Sequence, residues 1–276
     1  MTFKVVITMY NRPPSDLTLS VIRDTGIEVE YIPARTENEV ITAAKDADVL
    51  LVGTVPHTTR KVLEALPNLK MVGRHGVGVD SIDLEAATEL GICATNTPGI
   101  NTSEVADHAM AMLLSITRLI PEQNAALKDG AWSDRPEEVD AMRAKLRRIA
   151  GNTVGIFGLG SIGKGFANRV RGFGPSKIIA YDPYVPQTAA DLVGVEMVDF
   201  DTLLTESDFL TVHSPATDET NEIFNIGSFR KMKPTAIFIN CARGPIVDEG
   251  GLQEALETGV IYAAGIDVAQ IEPLDA

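Results

Sequence analysis

Only two cysteines, Cys93 and Cys241, occur in the 276 residues. That is too few for a disulfide framework and fits a reducing compartment, with the cytoplasm as the expected location. Aromatic residues make up 5% of the chain, so valine, isoleucine, leucine and alanine must fill the interior. Cations are also in deficit: 24 Lys and Arg stand against 38 Asp and Glu, a formal net charge of −14. A surface of that sign gives no favourable field to a phosphate backbone or an anionic bilayer, which argues against nucleic-acid and membrane partners. Long apolar runs are missing as well. The richest stretch, residues 109–120, is interrupted by Ser115, Thr117 and Arg118 and is too short to span a bilayer. The N-terminus lacks the charged start and apolar run of a secretory signal and reads as a first strand through Val5, Val6 and Ile7.

What is present is an alternation of strands and helices. Short runs rich in Val, Ile and Leu occur at residues 4–8, 49–52, 70–73, 154–157, 178–181, 209–212, 236–240 and 264–268. Such runs suit strands buried on both faces, hence parallel sheets covered by helices. The expected class is α/β with two sheets, one before Asn96 and one after Asn152. Between them, Asn101, Thr102 or Ser103 can cap a long helix whose apolar positions Val105, Ala109, Met112, Leu113 and Ile116 recur at helical spacing. Residues 121–150, with Trp132 and a polar run at 133–140, read as an irregular arm followed by a short helix.

The strongest local signal is residues 152–165, NTVGIFGLGSIGKG. An apolar strand enters Gly158-Leu159-Gly160-Ser161-Ile162-Gly163, and a helix can leave it. Gly158 permits the tight turn, Gly160 lets the backbone approach a pyrophosphate, and Gly163 lets helix and strand pack closely, while the helix N-terminus attracts the phosphates. A GxGxxG match alone is weak, because glycine turns between strand and helix are common. Here a second apolar strand ends in Asp182, about 20 residues further on, where a carboxylate can accept hydrogen bonds from the adenosine ribose and repel a 2′-phosphate. That favours NAD over NADP. The competing reading is an aspartate that only starts the Asp182-Pro183 turn.

Three further stretches make the pattern more specific: Arg74-His75-Gly76-Val77-Gly78-Val79-Asp80, Asn240-Cys241-Ala242-Arg243-Gly244 and Asp267-Val268-Ala269-Gln270-Ile271-Glu272-Pro273. Together with the fingerprint, and in this order, they resemble the D-isomer-specific 2-hydroxyacid dehydrogenases over essentially the whole chain. The length of the arm is similar to the branch near the C-terminal-binding-protein corepressors. The resemblance implies two Rossmann-like lobes joined by a long helix. Residues 1–100 would form a flavodoxin-like substrate lobe lacking its usual C-terminal return segment. Residues 101–276 would form the NAD-binding lobe, a doubly wound parallel sheet, together with the connecting helix and a dimerisation arm. It further implies an NAD-dependent oxidoreductase acting on a small D-2-hydroxy or 2-keto acid as a homodimer.

Reducing a 2-keto acid needs a cation for the carboxylate, a proton donor for the developing alkoxide and a positioned hydride. Arg243 supplies the cation, since its planar fork suits a carboxylate; a surface arginine in a βα loop is the bland alternative. Backbone amides of His75, Gly76, Val77 and Gly78 could supply further anion contacts, where a plain tight turn is the alternative. By resemblance, Glu272 is the catalytic glutamate that holds a histidine protonated, Asp267 bonds the nicotinamide carboxamide, and Val77 lies near the nicotinamide. Ser161, Ile162, His213, Ser214, Cys241 and Ala242 match cofactor-contacting positions, so Cys241 is not a nucleophile. The family's catalytic histidine lies beyond the glutamate, and only Pro273 to Ala276 follow Glu272 here. The sequence is thus expected to stop short of it, and none of His57, His75, His108 and His213 is a convincing substitute. The alternative function is a non-catalytic NAD(H)-binding sensor or scaffold of the corepressor kind. Arg12 and Arg74 could each meet a substrate phosphate or be plain surface charges.

Overall fold

The computed structural model describes residues 3–10 and 13–272. The chain divides into two compact units, Met1–Asn101 and Thr102–Ala276. The first contains β1 (Lys4–Met9), α1 (Asp16–Arg23), β2 (Glu28–Ala34), α2 (Glu37–Ala43), β3 (Val49–Val52), α3 (Arg60–Glu64), β4 (Met71–Arg74), α4 (Leu84–Glu89) and β5 (Cys93–Thr95). Its strands are all parallel in the order β2-β1-β3-β4-β5, the flavodoxin-like arrangement. Val6, Leu50, Val52 and Val72 project from one face into a core completed by Val40, Val62, Leu63 and Ala86 of the helices. On the other face Leu19 and Ile22 of α1 pack against Val5, Ile7 and Met9. No residue of α1 is buried, and Leu17 and Val21 stay exposed.

The second unit opens with α5 (Thr102–Arg118), followed by α6 (Ile120–Lys128), α7 (Ala131–Asp134) and α8 (Pro136–Ala144). Its sheet is built from β6 (Thr153–Phe157), β7 (Lys177–Tyr181), β8 (Glu196–Met197), β9 (Phe209–Val212), β10 (Ile237–Asn240) and β11 (Ala263–Ile266). The helices between these strands are α9 (Ser161–Val170), α10 (Gln187–Asp191), α11 (Phe200–Glu206), α12 (Ile226–Phe229) and α13 (Glu249–Glu257). The parallel order β11-β10-β9-β6-β7-β8 is that of a doubly wound dinucleotide-binding sheet, with the chain reversing direction between β6 and β9. Every residue of β6, β9 and β10 is buried. One face packs against α5 and α9 through Ala109, Leu113, Phe166 and Val170. The other packs against α11 to α13 through Leu203, Phe229 and Leu252. Apolar runs without alternation were the sequence signal for this burial on both faces.

Three strands carry no such signal, and all three are sheet edges. β2 reads EVEYIPA, with charged residues and a proline facing out, while β5 and β8 are very short. Short, charged or proline-bearing edges resist pairing with a foreign strand, and the same property hides them from a search for apolar runs. The arm also differs from expectation, since residues 120–144 are mostly helical. Pro121 and Pro136 each stand in the first turn of a helix, where their missing N–H costs nothing, and Glu137 and Glu138 sit at the positive end of α8.

Candidate functional site

In the second unit the strand register sets the candidate residues in a row. Tyr181 pairs with Phe157, Phe157 with Val212, Val212 with Asn240, and Asn240 with Ile266. The next residue on each strand is therefore Asp182, Gly158, His213, Cys241 and Asp267. Five candidates, far apart in sequence, line the carboxyl edge of one sheet, where open α/β sheets bind ligands.

The glycine loop leaves β6 in this row. Gly158 has φ +91°, and a Cβ there would lie 2.8 Å from the backbone of His213 and Ser214, so only glycine lets the two loops meet at the point of reversal. A Cβ on Gly163 would strike the carbonyl of Gly158, which leaves glycine as the residue that seats α9 against the turn. Gly160 is different. A Cβ there would meet nothing within 4 Å, and its backbone is ordinary extended chain. Nothing in the protein explains a glycine at that point, whereas a diphosphate lying on the amino end of α9, beside Ser161 and Ile162, would. The loop therefore fits the dinucleotide that the fingerprint implies.

Asp182 closes this loop. Its Oδ2 accepts the Leu159 N–H at 2.9 Å and its Oδ1 accepts the Tyr184 N–H at 2.9 Å. The turn role is thus real, but a carboxylate has about four lone-pair positions, and two remain for ribose hydroxyls. A cleft of about 530 Å³ opens beside it, lined by Gly158, Gly160, Asp182, Ser214, Asp218 and Glu219 among others. Tyr184 Oη donates to Glu219 at 2.8 Å across the same cleft.

His213 packs its ring near Phe166, and its Nε2 shares a 3.0 Å hydrogen bond with Thr211 Oγ1. Part of the residue reaches the surface, yet Nδ1 is enclosed with no hydrogen-bond partner among the described residues. Burial lowers the imidazole from 6.5 to about 3, so it stays neutral and supplies shape rather than a proton. Because the unfolded chain takes up a proton that the folded ring refuses, stability should fall as pH drops from 6.5 toward 3. His213→Gln should flatten that part of the curve, as read from urea midpoints across the range.

At β10, Asn240 organises the second cluster, a role its place in the motif did not disclose. The fully buried side chain accepts the Ala242 N–H at 3.0 Å and donates to the Arg243 carbonyl at 2.9 Å, while its own carbonyl accepts the Asp267 N–H at 3.0 Å. One residue thereby shapes the turn that presents Arg243 and anchors the start of the Asp267 loop. Asn240→Ala should destabilise the fold by about 2–3 kcal/mol, because two backbone groups lose their partner. Urea denaturation of the parent and the variant measures it. The Arg243 guanidinium donates to the Ala242 carbonyl at 2.7 Å. A Cβ on Gly244 would collide with the backbone of Ala269 and Gln270, so glycine lets the last described loop lie against the arginine turn. In that loop Glu272 accepts the Ala269 N–H at 3.0 Å, and no histidine among the described residues hydrogen-bonds it. Cys241 is buried with Sγ 3.4 Å from Met112 Sδ, and burial, with Asp267 nearby, raises its thiol to about 12. A thiol so poorly ionised is no nucleophile. Asp267 Oδ1 lies 3.1 Å from His108 Nε2.

In the first unit the loop after β4 carries the other candidates. Its amides are less available than the sequence suggested: His75 N–H donates to Val52 O at 2.9 Å and Gly76 N–H to Arg74 O at 2.9 Å. Of the four candidate amides, those of Val77 and Gly78 make no hydrogen bond to a described residue. Asn96 Nδ2 donates to Val77 O at 2.7 Å and holds the loop from β5. Arg74 Nη2 donates to Thr54 Oγ1 and Nη1 to the His75 carbonyl, both at 2.8 Å. A cleft of about 380 Å³ at these strand ends is lined by Met9, Pro13, Arg74, His75, Asn96 and Thr97 among others. Arg12 lies outside the described residues.

Residues 110–276 match the family model described as D-isomer specific 2-hydroxyacid dehydrogenase, NAD binding domain. The chain is 41% identical over 261 residues to a D-3-phosphoglycerate dehydrogenase from Archaeoglobus fulgidus, covering 95% of this chain and 48% of that protein. It is 42% identical over 237 residues to a hydroxypyruvate reductase from Thermotoga maritima, covering 86% of this chain and 74% of that protein. Among solved structures, D-lactate dehydrogenase from Aquifex aeolicus complexed with NAD and lactic acid superposes with a TM-score of 0.82 at 28% identity, covering 96% of this chain and 77% of that one. The chain spans about half the length of the phosphoglycerate dehydrogenases it matches. The curated relatives carry the names of a dehydrogenase and a reductase. Among the described residues, no helix is long and apolar enough to cross a membrane.

Proposed function

The chain belongs to the D-isomer-specific 2-hydroxyacid dehydrogenase family, and from that premise we propose that it transfers hydride between NAD(H) and a small D-2-hydroxy or 2-keto acid. The observation that carries this reading is the Asn240 cluster, which presents a guanidinium and a carboxylate, Arg243 and Asp267, from adjacent strand ends of an NAD-binding sheet. When bound, the nicotinamide supplies the hydride. Arg243 binds the substrate carboxylate in a two-pronged grip and stabilises charge on the carbonyl oxygen as it becomes an alkoxide. In the first unit taken by itself, the amides of Val77 and Gly78 are suited to an anion. Asp267 accepts from the carboxamide and sets which face of the ring is presented. Gly158 to Gly163 cradle the diphosphate and Asp182 takes the ribose hydroxyls, with Asp218 and Glu219 adding negative charge in the same cleft against a 2′-phosphate.

The proton is a separate requirement. Neither histidine of the second unit fits the acid, since His108 is engaged with Asp267 and His213 stays neutral and enclosed. Glu272 is suited to hold a protonated histidine rather than to act as the donor itself. We further propose a cytoplasmic homodimer using the arm, on which Ile120, Leu127 and Trp132 are all exposed. Light scattering at defined concentration tests the dimer. The catalytic reading is tested by incubating the protein with NADH and hydroxypyruvate and separating the product enantiomers, at a low expected rate because none of the residues above is assigned as the acid. D-glycerate formed in step with NADH loss supports it, and L-glycerate would overturn the assignment of substrate face.

A further inference from the structure

His108 stands on α5, a helix whose Ala109, Met110 and Leu113 are locked into the core beneath the sheet. Its Nε2 lies 3.1 Å from Oδ1 of Asp267, which follows β11. The two side chains are about half exposed, 52% and 45%, and an exposed pair of this kind adds little to stability. Its consequence is geometric. The backbone of Asp267 is anchored by its N–H on the Asn240 carbonyl, but its carboxylate would otherwise turn about two side-chain torsions. His108 occupies one oxygen from a fixed helix. Among the described residues the other oxygen, Oδ2, has no hydrogen-bond partner. We propose that His108 is a positioning residue, holding the Asp267 carboxylate so that Oδ2 faces the carboxamide NH₂ of the nicotinamide. This rests on the reading of Asp267 given above and adds to it the residue that orients the acceptor. An acceptor fixed before binding loses less torsional freedom when the cofactor arrives, so the hydrogen bond discriminates more sharply between ligands that can donate and ligands that cannot.

The discriminating probe is reduced 3-acetylpyridine adenine dinucleotide, in which a methyl ketone replaces the carboxamide and the NH₂ donor is absent. Dissociation constants for it and for NADH, from titrations of the bound dihydropyridine fluorescence, give a preference ratio that needs no turnover. The parent should favour NADH. His108→Leu should shrink that ratio by roughly two- to tenfold, the value of one ordinary hydrogen bond. His108→Gln places an amide donor where Nε2 stands and should retain the parent ratio. Asp267→Ala should remove the preference, and adding His108→Leu to it should change nothing further. If Asp267→Ala removes the preference and His108→Leu leaves it at the parent value, the positioning role is wrong while the role of Asp267 stands. Equal weakening of both ligands by His108→Leu would likewise overturn it, because that is what a merely structural side chain does. If Asp267→Ala keeps the parent ratio, the reading of Asp267 fails and His108 has nothing to orient.

Discussion

Gly160→Val should weaken NADH binding by between about a hundred- and ten-thousandfold while costing the fold no more than about 1 kcal/mol. The first figure follows from two charge-assisted contacts between backbone amides and diphosphate, at about 1.5–3 kcal/mol each, which a branched side chain at this point would hold apart. The second follows from the structure. A Cβ at Gly160 meets nothing within 4 Å, and the extended backbone there suits any residue, so the only loss is that of a poorer residue at the start of α9. Gly163→Ala is the matched control, since its Cβ strikes the Gly158 carbonyl and should lower stability and binding together. Calorimetric titration with NADH, paired with thermal melts, separates the two. If Gly160→Val bound NADH normally, the diphosphate would not lie on this loop.

Arg243→Ala should leave NADH affinity nearly unchanged and weaken oxamate, a non-reacting 2-keto acid analogue, by roughly thirtyfold to a thousandfold, the usual cost of removing one member of a hydrogen-bonded charge pair at about 2–4 kcal/mol. Lysine should restore little, because a single ammonium cannot reproduce two parallel hydrogen bonds to a carboxylate. The measurement is oxamate titration of the NADH complex, which needs no proton donor. Loss of NADH affinity with oxamate affinity intact would place Arg243 on the cofactor instead.

Residues that act through a pattern were legible in the sequence. Gly158 and Gly163 are dictated by steric demands that any strand–turn–helix of this kind imposes, and the all-buried strands β6, β9 and β10 announce themselves as unbroken apolar runs. What stayed hidden was pairing across long separations. His108 and Asp267 are 159 residues apart, and no local spacing connects a helix surface with a loop after the last strand. Asn240 was visible as a motif letter, but its function as the clamp on Ala242 and Arg243 depends on a turn whose shape the letters do not state. The amides of His75 and Gly76 were misjudged for a similar reason, since a glycine-rich loop exposes N–H groups only if it does not satisfy them itself. Asp182 takes the turn role and leaves room for the proposed ribose role. It starts the turn through Tyr184 and ties the glycine loop through Leu159, and those bonds hold the carboxylate where a ribose can reach it.

Asp182 also offers the most direct test of the central claim, that this chain carries a working NAD-binding unit with a built-in bias against the 2′-phosphate. Calorimetric titration of the 276-residue polypeptide with NADH and NADPH, repeated for Asp182→Ala, decides it. The expected result is one NADH per chain, with NADPH at least about tenfold to a hundredfold weaker, as one repelled charge of about 1.4–2.7 kcal/mol implies, and with the gap narrowed in the variant. Equal affinities for NADH and NADPH in the parent, or no binding of either, would contradict it.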